Sequence, residues 1–182
     1  MKKVTGRLIA CAALAFGVWL TTASAVTAAE PDSWITMKTK IALMTADNVS
    51  TSKLNVDTVK GVVTLHGTVP TEEQKTNAEQ VAMKIDGVKS VKNLLQVVPK
   101  SERAVVERAD DQVKSDVQAA FKANARVRDS GISVASVNKG VVLLSGKVDA
   151  LPVLLEAVQV ADAVKGVRRV SSEVEVRPAK TH

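Results

Sequence analysis

The chain has 182 residues, 46% of them hydrophobic and 2% aromatic, and its 25 basic and 19 acidic residues give a net charge of +6. One cysteine excludes a disulfide framework, and the two histidines form no cysteine–histidine cluster with the spacing of a zinc site. The absence of tyrosine and the scarcity of other aromatic residues argue against a surface that binds nucleic acid by stacking on bases.

Residues 1–29 have the pattern of a secretory signal peptide. A basic start precedes the apolar run 8–20, which is too short to span a bilayer comfortably, and small residues follow it. We expect cleavage after Ala29, with positions 25 and 28 as alternatives. Cys11 lies inside the apolar run rather than after it, so lipoprotein anchoring is not expected. Removal of this segment would leave 22 basic and 19 acidic residues.

The segment 34–98 predicts one small α+β module. Its opening helix places Ile35, Thr39 and Leu43 at helical spacing, and the runs 54–59 and 62–69 predict a pair of strands. A capping box at Thr71 begins a second helix, and a third strand is predicted over 88–98. The predicted order is helix, strand, strand, helix, strand.

The same order occurs a second time along the chain. Lys60–Val69 matches Lys139–Val148, and Gly87–Val91 matches Gly166–Val170, both at an offset of 79 (139 − 60 and 166 − 87). The opening helices match at an offset of 78, and we place the extra residue in the second hairpin loop, at Asn138. The sequence therefore predicts two tandem modules, each with a three-stranded mixed sheet covered on one face by two helices.

Glycines recur at equivalent positions of the two modules, and each pair has a predicted structural role. One pair lies at the hairpin turn, one lies inside a strand where another backbone comes close, and one ends a helix. In this order the pairs are Gly61 and Gly140, Gly67 and Gly146, and Gly87 and Gly166.

The join between the modules is predicted to be stiff. The stretch 101–124 contains neither glycine nor proline, so 99–109 is predicted to be a helical linker that continues into the second module, 110–177. The polar tail 178–182 is predicted to be disordered. Because a module of this size buries too little surface to be very stable alone, we expect the two modules to pack together.

The second helix of the second module is more apolar than its counterpart. It is predicted either to pack against the first module or to present an apolar patch to a lipid or partner. The basic residues after it are either an ordinary solvated surface or the charge partners of that patch for anionic headgroups. The candidate contact residues are Leu151, Leu154, Leu155, Val158, Arg168 and Arg169.

His66 is the only internal histidine after the signal segment, and its counterpart is Ser145. A lone histidine in a strand is most often a packing or surface residue. No nucleophile elbow, phosphate loop or metal-ligand cluster accompanies it, so the sequence predicts no enzyme, no cofactor and no metal. An enzyme would need a pocket with convergent polar groups around His66.

The paired motifs Gly61–Val69 with Gly87–Val91, and Gly140–Val148 with Gly166–Val170, resemble the BON domain family. The resemblance implies a non-catalytic periplasmic protein that contacts phospholipid or membrane surfaces in envelope maintenance and osmotic stress protection. The alternative is a holdase chaperone or adaptor for exported and outer-membrane proteins. The implied partners are an anionic phospholipid surface or envelope proteins, reached by peripheral rather than integral membrane contact, with no nucleic acid.

Overall fold

The first module begins with an opening helix and a hairpin, as the sequence predicts. The computed structural model describes residues 30–177, so the predicted signal segment 1–29 and tail 178–182 lie outside the described residues. The elements of this module are α1 (Asp32–Thr45), β1 (Leu54–Val59), β2 (Val62–Val69), α2 (Glu72–Met83), β3 (Ser90–Asn93) and β4 (Gln96–Val97).

The second module repeats this order and adds one short helix. Its elements are α3 (Arg103–Ala123), α4 (Ala125–Arg128), β5 (Gly131–Asn138), β6 (Val141–Val148), α5 (Leu151–Asp162), β7 (Arg169–Ser172) and β8 (Glu175–Val176). Helix α3 is continuous from within the predicted linker into the second module. The predicted α+β class and the tandem duplication are confirmed.

Each sheet is mixed and has its hairpin's second strand at the centre. In the first module β2 pairs antiparallel with β1 and parallel with β3 and β4, and β6 has the same role in the second. The third strand is broken rather than continuous over 88–98. At the break the Leu95 N–H donates to Asn93 Oδ1 at 3.1 Å, so this backbone donor bonds to a side chain instead of to the neighbouring strand.

An aspartate at the opening helix of each module holds the hairpin turn. The Asp32 carboxylate accepts the two amides of the Lys60–Gly61 turn at 2.7 and 2.8 Å. Asp110 does the same for the Lys139–Gly140 turn at 2.7 and 2.9 Å. All four turn residues have positive φ, so the two turns have the same two-residue form.

The extra residue of the second module is therefore not in the loop. Val134 and Ser136 pair with consecutive residues of β6, which leaves Ala135 as a β-bulge inside β5. The prediction that Asn138 is the extra residue was wrong. Because Asp110 fixes the turn at two residues, the additional length is absorbed within the strand.

The strand glycine of each module lies where a second backbone comes close. A Cβ on Gly67 would collide with the carbonyl oxygen of Lys53, and a Cβ on Gly146 would collide with that of Gly131. Both glycines have positive φ, at 117° and 132°. A side chain at either position would therefore be excluded by contact and by backbone conformation alike.

Each module has its own apolar core between its sheet and its helices. Valine, leucine and isoleucine side chains fill most of it, and the buried alanines of α2 and α5 let those helices approach the sheet closely. Each large apolar side chain buried in this way contributes about 1.5–3 kcal/mol. Ile35, Thr39 and Leu43, which the sequence placed at helical spacing on the first opening helix, are buried, and so are Val113, Val117 and Phe121 at the matching positions of the second.

The two modules meet through the sheet faces that point away from their helices. Side chains alternate along β2, and Thr64, His66 and Thr68 are buried although they point away from the core of their own module. Strand β2 packs against β5 of the second module. Leu143 of β6 is also buried outside its own core.

The two hairpin turns make similar contacts across the interface. Lys60 Nζ lies 3.9 Å from a carboxylate oxygen of Glu175, and its equivalent Lys139 donates to the Val97 carbonyl at 3.1 Å. Each hairpin turn thus reaches the last strand of the other module. Because the sheets face each other, α2 and α5 lie on the outer sides of the two modules. The opening helices also border the interface: Ser33 and Thr36 of α1 line the cleft between the modules, and Glu107 of α3 lies 3.2 Å from Lys53 of the first module.

Candidate interaction surface

Helix α5 packs on its own module, not on the first one. It contacts α3, α4, β6 and β7. Leu154 and Val158 are partly buried against the core of the second module, whereas Leu151 and Leu155 are 53% and 55% exposed. The interpretation that this helix is buried against the first module was wrong, because the modules join through their sheets.

The structure separates Leu151 from its predicted charge partners, Arg168 and Arg169. Leu151 is the first residue of α5, and the 12 residues of that helix extend about 18 Å. Arg168 follows the far end of the helix, where its N–H donates to the Gly140 carbonyl at 2.8 Å, and Arg169 begins β7. Both arginines are exposed, but they lie at the end of α5 opposite to Leu151.

A larger exposed apolar surface lies on α1, which the sequence reasoning missed. We call it the α1 stripe. Four large side chains at i, i+3, i+7 and i+10 share one side of this 14-residue helix. Its members, with exposed fractions, are Trp34 (48%), Met37 (46%), Ile41 (55%) and Met44 (72%).

The α1 stripe lies about 180° around the helix from the side that faces the core. The buried side carries Ile35, Thr39 and Leu43, so α1 is apolar on two opposite sides. Lys38 and Lys40 flank the stripe on its two edges. The regular spacing was visible in the sequence, but the core-facing set alone was assigned to the helix.

The remaining candidate, His66, lies at the module interface and is 5% exposed. Its Nε2 is 2.8 Å from Asp57 Oδ2, and this hydrogen bond lowers the pKa of Asp57. Burial raises the pKa of Glu173 from the second module, and the nearby Asp57 charge raises it further, while Thr64 and His66 oppose the shift. Asp57 and Glu173 line an open cleft of about 540 Å³ between the modules.

Among the described residues, this polar cluster places no nucleophile on His66 and no set of metal ligands beside it. No hydrogen-bond partner of His66 Nδ1 exists among the described residues, so no hydroxyl or thiol stands where a nucleophile would. Within 30–177 no group of three or more His, Cys, Asp and Glu side chains could hold a metal ion. His66 is buried at the interface, so it is not the exposed surface residue that was one of its two predicted roles.

Comparison with known proteins identifies the modules. The BON domain family model matches residues 31–99 and 109–178. The chain belongs to the BON domain family. Its two BON domains coincide with the two modules described above, and no helix of the described segment has the length and apolarity needed to cross a bilayer.

Two curated relatives align with both BON domains. The chain is 35% identical over 147 residues to the Osmotically-inducible protein Y of Escherichia coli (strain K12), covering 80% of this chain and 73% of the relative. It is 32% identical over 130 residues to the Uncharacterized protein in gshII 5'region of Anaplasma centrale, covering 71% and 85%.

One similar solved structure is the C-terminal domain of CdsD, a structural protein of the type III secretion system of Chlamydia trachomatis. The identity is 17% and the TM-score 0.32, with 82% of this chain and 68% of that chain covered. At this TM-score the likeness supports no inference about the present protein.

Proposed function

We propose that this protein is a non-catalytic periplasmic binding protein that contacts anionic phospholipid surfaces in envelope maintenance and osmotic stress protection. The name of its osmotically inducible relative and the predicted signal peptide support the setting. The observation that carries the proposal is the α1 stripe, because four large apolar side chains stand in water with no described element covering them.

The composition of the stripe suits the boundary between water and lipid. A tryptophan ring prefers the headgroup level, and Trp34 begins the stripe at the N-terminal end of α1. Lys40 on one edge is exposed and matches the charge of anionic headgroups, whereas Lys38 on the other edge is paired with Glu30 and donates to the Asp86 carbonyl at 2.8 Å. A helix of this kind lies in the plane of the interface and buries its apolar side, which makes the contact peripheral.

A flat membrane can contact only one outer side of the protein at a time. The α1 stripe is on the side of the first module, and Leu151 and Leu155 are on the side of the second. The stripe offers four apolar side chains and α5 offers two, so we assign the main contact to α1. The set Leu151, Leu154, Leu155, Val158, Arg168 and Arg169 remains the second candidate.

The test is sedimentation with vesicles of phosphatidylglycerol and phosphatidylethanolamine, compared with phosphatidylcholine alone. The chain from Glu30 should bind the anionic vesicles at low salt and less at high salt, because the lysine contribution is screened. Trp34→Ser with Ile41→Ser should weaken this binding by about tenfold or more, since two interfacial apolar side chains are lost.

The matched control is Leu151→Ser with Leu155→Ser, which removes two leucines of similar exposure from the other side. It should bind like the parent. If this control loses binding and the α1 variant does not, the contact belongs to α5. If the parent fails to bind anionic vesicles at low salt, the membrane proposal is lost.

The alternative function is a holdase or adaptor for exported polypeptides. It is favoured by the presence of exposed apolar side chains on both outer sides, since a flexible chain can reach around the molecule and a bilayer cannot. It predicts that the protein suppresses aggregation of an unfolded client without lipid. Both double variants should then weaken the suppression of aggregation. The membrane proposal predicts instead that only the α1 double variant has an effect, and that this effect is on vesicle binding.

A further inference from the structure

The methionines of the described chain are all on the surface of the first module. The sequence has four, and besides Met1 they are Met37, Met44 and Met83. Their exposed fractions are 46%, 72% and 56%. Two of them make up half of the α1 stripe, and the third is at the last residue of α2.

The apolar cores contain no methionine. They consist of valine, leucine, isoleucine and alanine with a single phenylalanine. Methionine is the apolar residue that mild oxidants convert to a polar one, and such a change inside a core disrupts packing. In this protein oxidation would change the surface while the cores that stabilise the fold stay intact.

We propose that Met37 and Met44 are a sulfoxidation site that switches off the α1 stripe, an inference that rests on the proposed membrane contact. The oxidant is a peroxide. The thioether sulfur donates a lone pair to one peroxide oxygen, the O–O bond breaks, and the other oxygen leaves as water after proton transfer. The sulfur loses two electrons and the peroxide gains two, so the step is balanced.

The placement of the two methionines gives this reaction its effect. They are two turns apart on one side of α1, between Trp34 at one end and the C-terminus of the helix at the other. A sulfoxide is polar and resists burial among lipid chains. With both oxidised, only Trp34 and Ile41 of the stripe remain apolar, and the polar sulfoxide of residue 37 separates them along the helix.

The experiment uses the full chain from Glu30, treated with hydrogen peroxide and then sedimented with anionic vesicles. Trypsin cleaves after Lys38 and Lys40, so Met37 and Met44 fall in separate peptides whose oxygen uptake is measured by mass. The treated parent should take up oxygen at both residues, keep its melting temperature within a few degrees, and lose vesicle binding by about fivefold or more.

Two variants make the assignment specific. Met37→Leu with Met44→Leu keeps the stripe apolar without a thioether, so it should bind vesicles equally before and after peroxide. Met83→Leu removes the exposed methionine outside the stripe, so it should lose binding on treatment as the parent does. Retained sensitivity in the first variant would overturn the proposal, because oxidation elsewhere would then be responsible.

The outcomes separate this inference from the membrane proposal. If the untreated parent binds and the doubly oxidised parent binds equally well, the switch is refuted and the membrane contact stands. If the untreated parent does not bind, both are refuted. Unfolding of the parent on oxidation would also overturn the switch, since the loss of binding would then reflect the fold.

Discussion

One aspartate in each module, Asp32 or Asp110, joins the opening helix to the hairpin turn. Asp110 is 8% exposed, and both of its carboxylate oxygens accept turn amides. A charged acceptor of two backbone N–H groups is among the stronger hydrogen-bonding arrangements in a protein. The sequence reasoning assigned the turn to its glycine alone and did not identify the aspartate, because the contact joins residues 29 and 30 positions apart.

Asp110→Asn should destabilise the protein by about 2 kcal/mol, because the amide nitrogen of asparagine would face a turn N–H and one acceptor is lost. The measurement is the free energy of unfolding from urea denaturation. The neighbouring Asp111 is exposed, so Asp111→Asn should change that free energy by less than about 0.5 kcal/mol. Equal effects of the two substitutions would contradict the role of Asp110.

At the scale of the element, the bulge in β5 explains the single-residue difference between the modules. Ala135 lies opposite no residue of β6, and Val137 beyond it is buried in the core. Deleting Ala135 should let β5 pair with β6 without a bulge, as β1 pairs with β2, and should keep Val137 in its buried position. Deleting Asn138 should instead draw Ser136 into the buried position of Val137, because the turn itself is held by Asp110.

The deletion of Asn138 should therefore cost at least about 2 kcal/mol more than the deletion of Ala135. Urea denaturation of the two single-residue deletions provides the comparison. If the deletion of Asn138 were the milder one, the extra residue would belong to the loop, as the sequence first indicated.

Sequence periodicity predicted the elements and their order well, because helices and strands leave local patterns. The repeat fixed the two modules, and the buried residues of α1 and α3 followed from helical spacing. Periodicity did not predict which faces of the helices stay exposed to solvent. The α5 leucines were noticed for their number and the α1 stripe was overlooked, since exposure depends on how two sheets meet, which is set by side chains far apart in sequence.

At the scale of the whole molecule, the two modules share a polar interface that titrates. Glu173 is held against Thr64, Asp57 and His66 of the first module, with Lys92 nearby, and burial raises its pKa. A carboxyl group with a raised pKa binds its proton more tightly in the folded protein. Its contribution to stability is therefore present at low pH and is lost as the pH rises above 4.5, the ordinary pKa of a glutamate, through the raised value.

Glu173→Gln, which mimics the protonated acid, should raise the melting temperature at pH 8 and leave it nearly unchanged at pH 4. Measuring at pH 4 and pH 8 limits the opposite loss from Asp57, whose lowered pKa removes stability mainly as the pH falls below 3.8. Glu175→Gln is the control. It removes the carboxylate that lies 3.3 Å from Lys147 and 3.9 Å from Lys60, so it should not raise the melting temperature. If the melting temperatures of the parent and of Glu173→Gln changed in parallel with pH, this account of the interface would be contradicted.

The most direct measurement of the central claim uses Trp34, the single tryptophan of a chain that begins at Glu30. Its fluorescence is recorded while anionic vesicles are added, with brominated lipids as quenchers at known depth. If the α1 stripe enters the headgroup boundary, the emission of Trp34 shifts to shorter wavelength and shallow bromines quench it. Unchanged emission while the protein pellets with the same vesicles would show that another surface makes the contact.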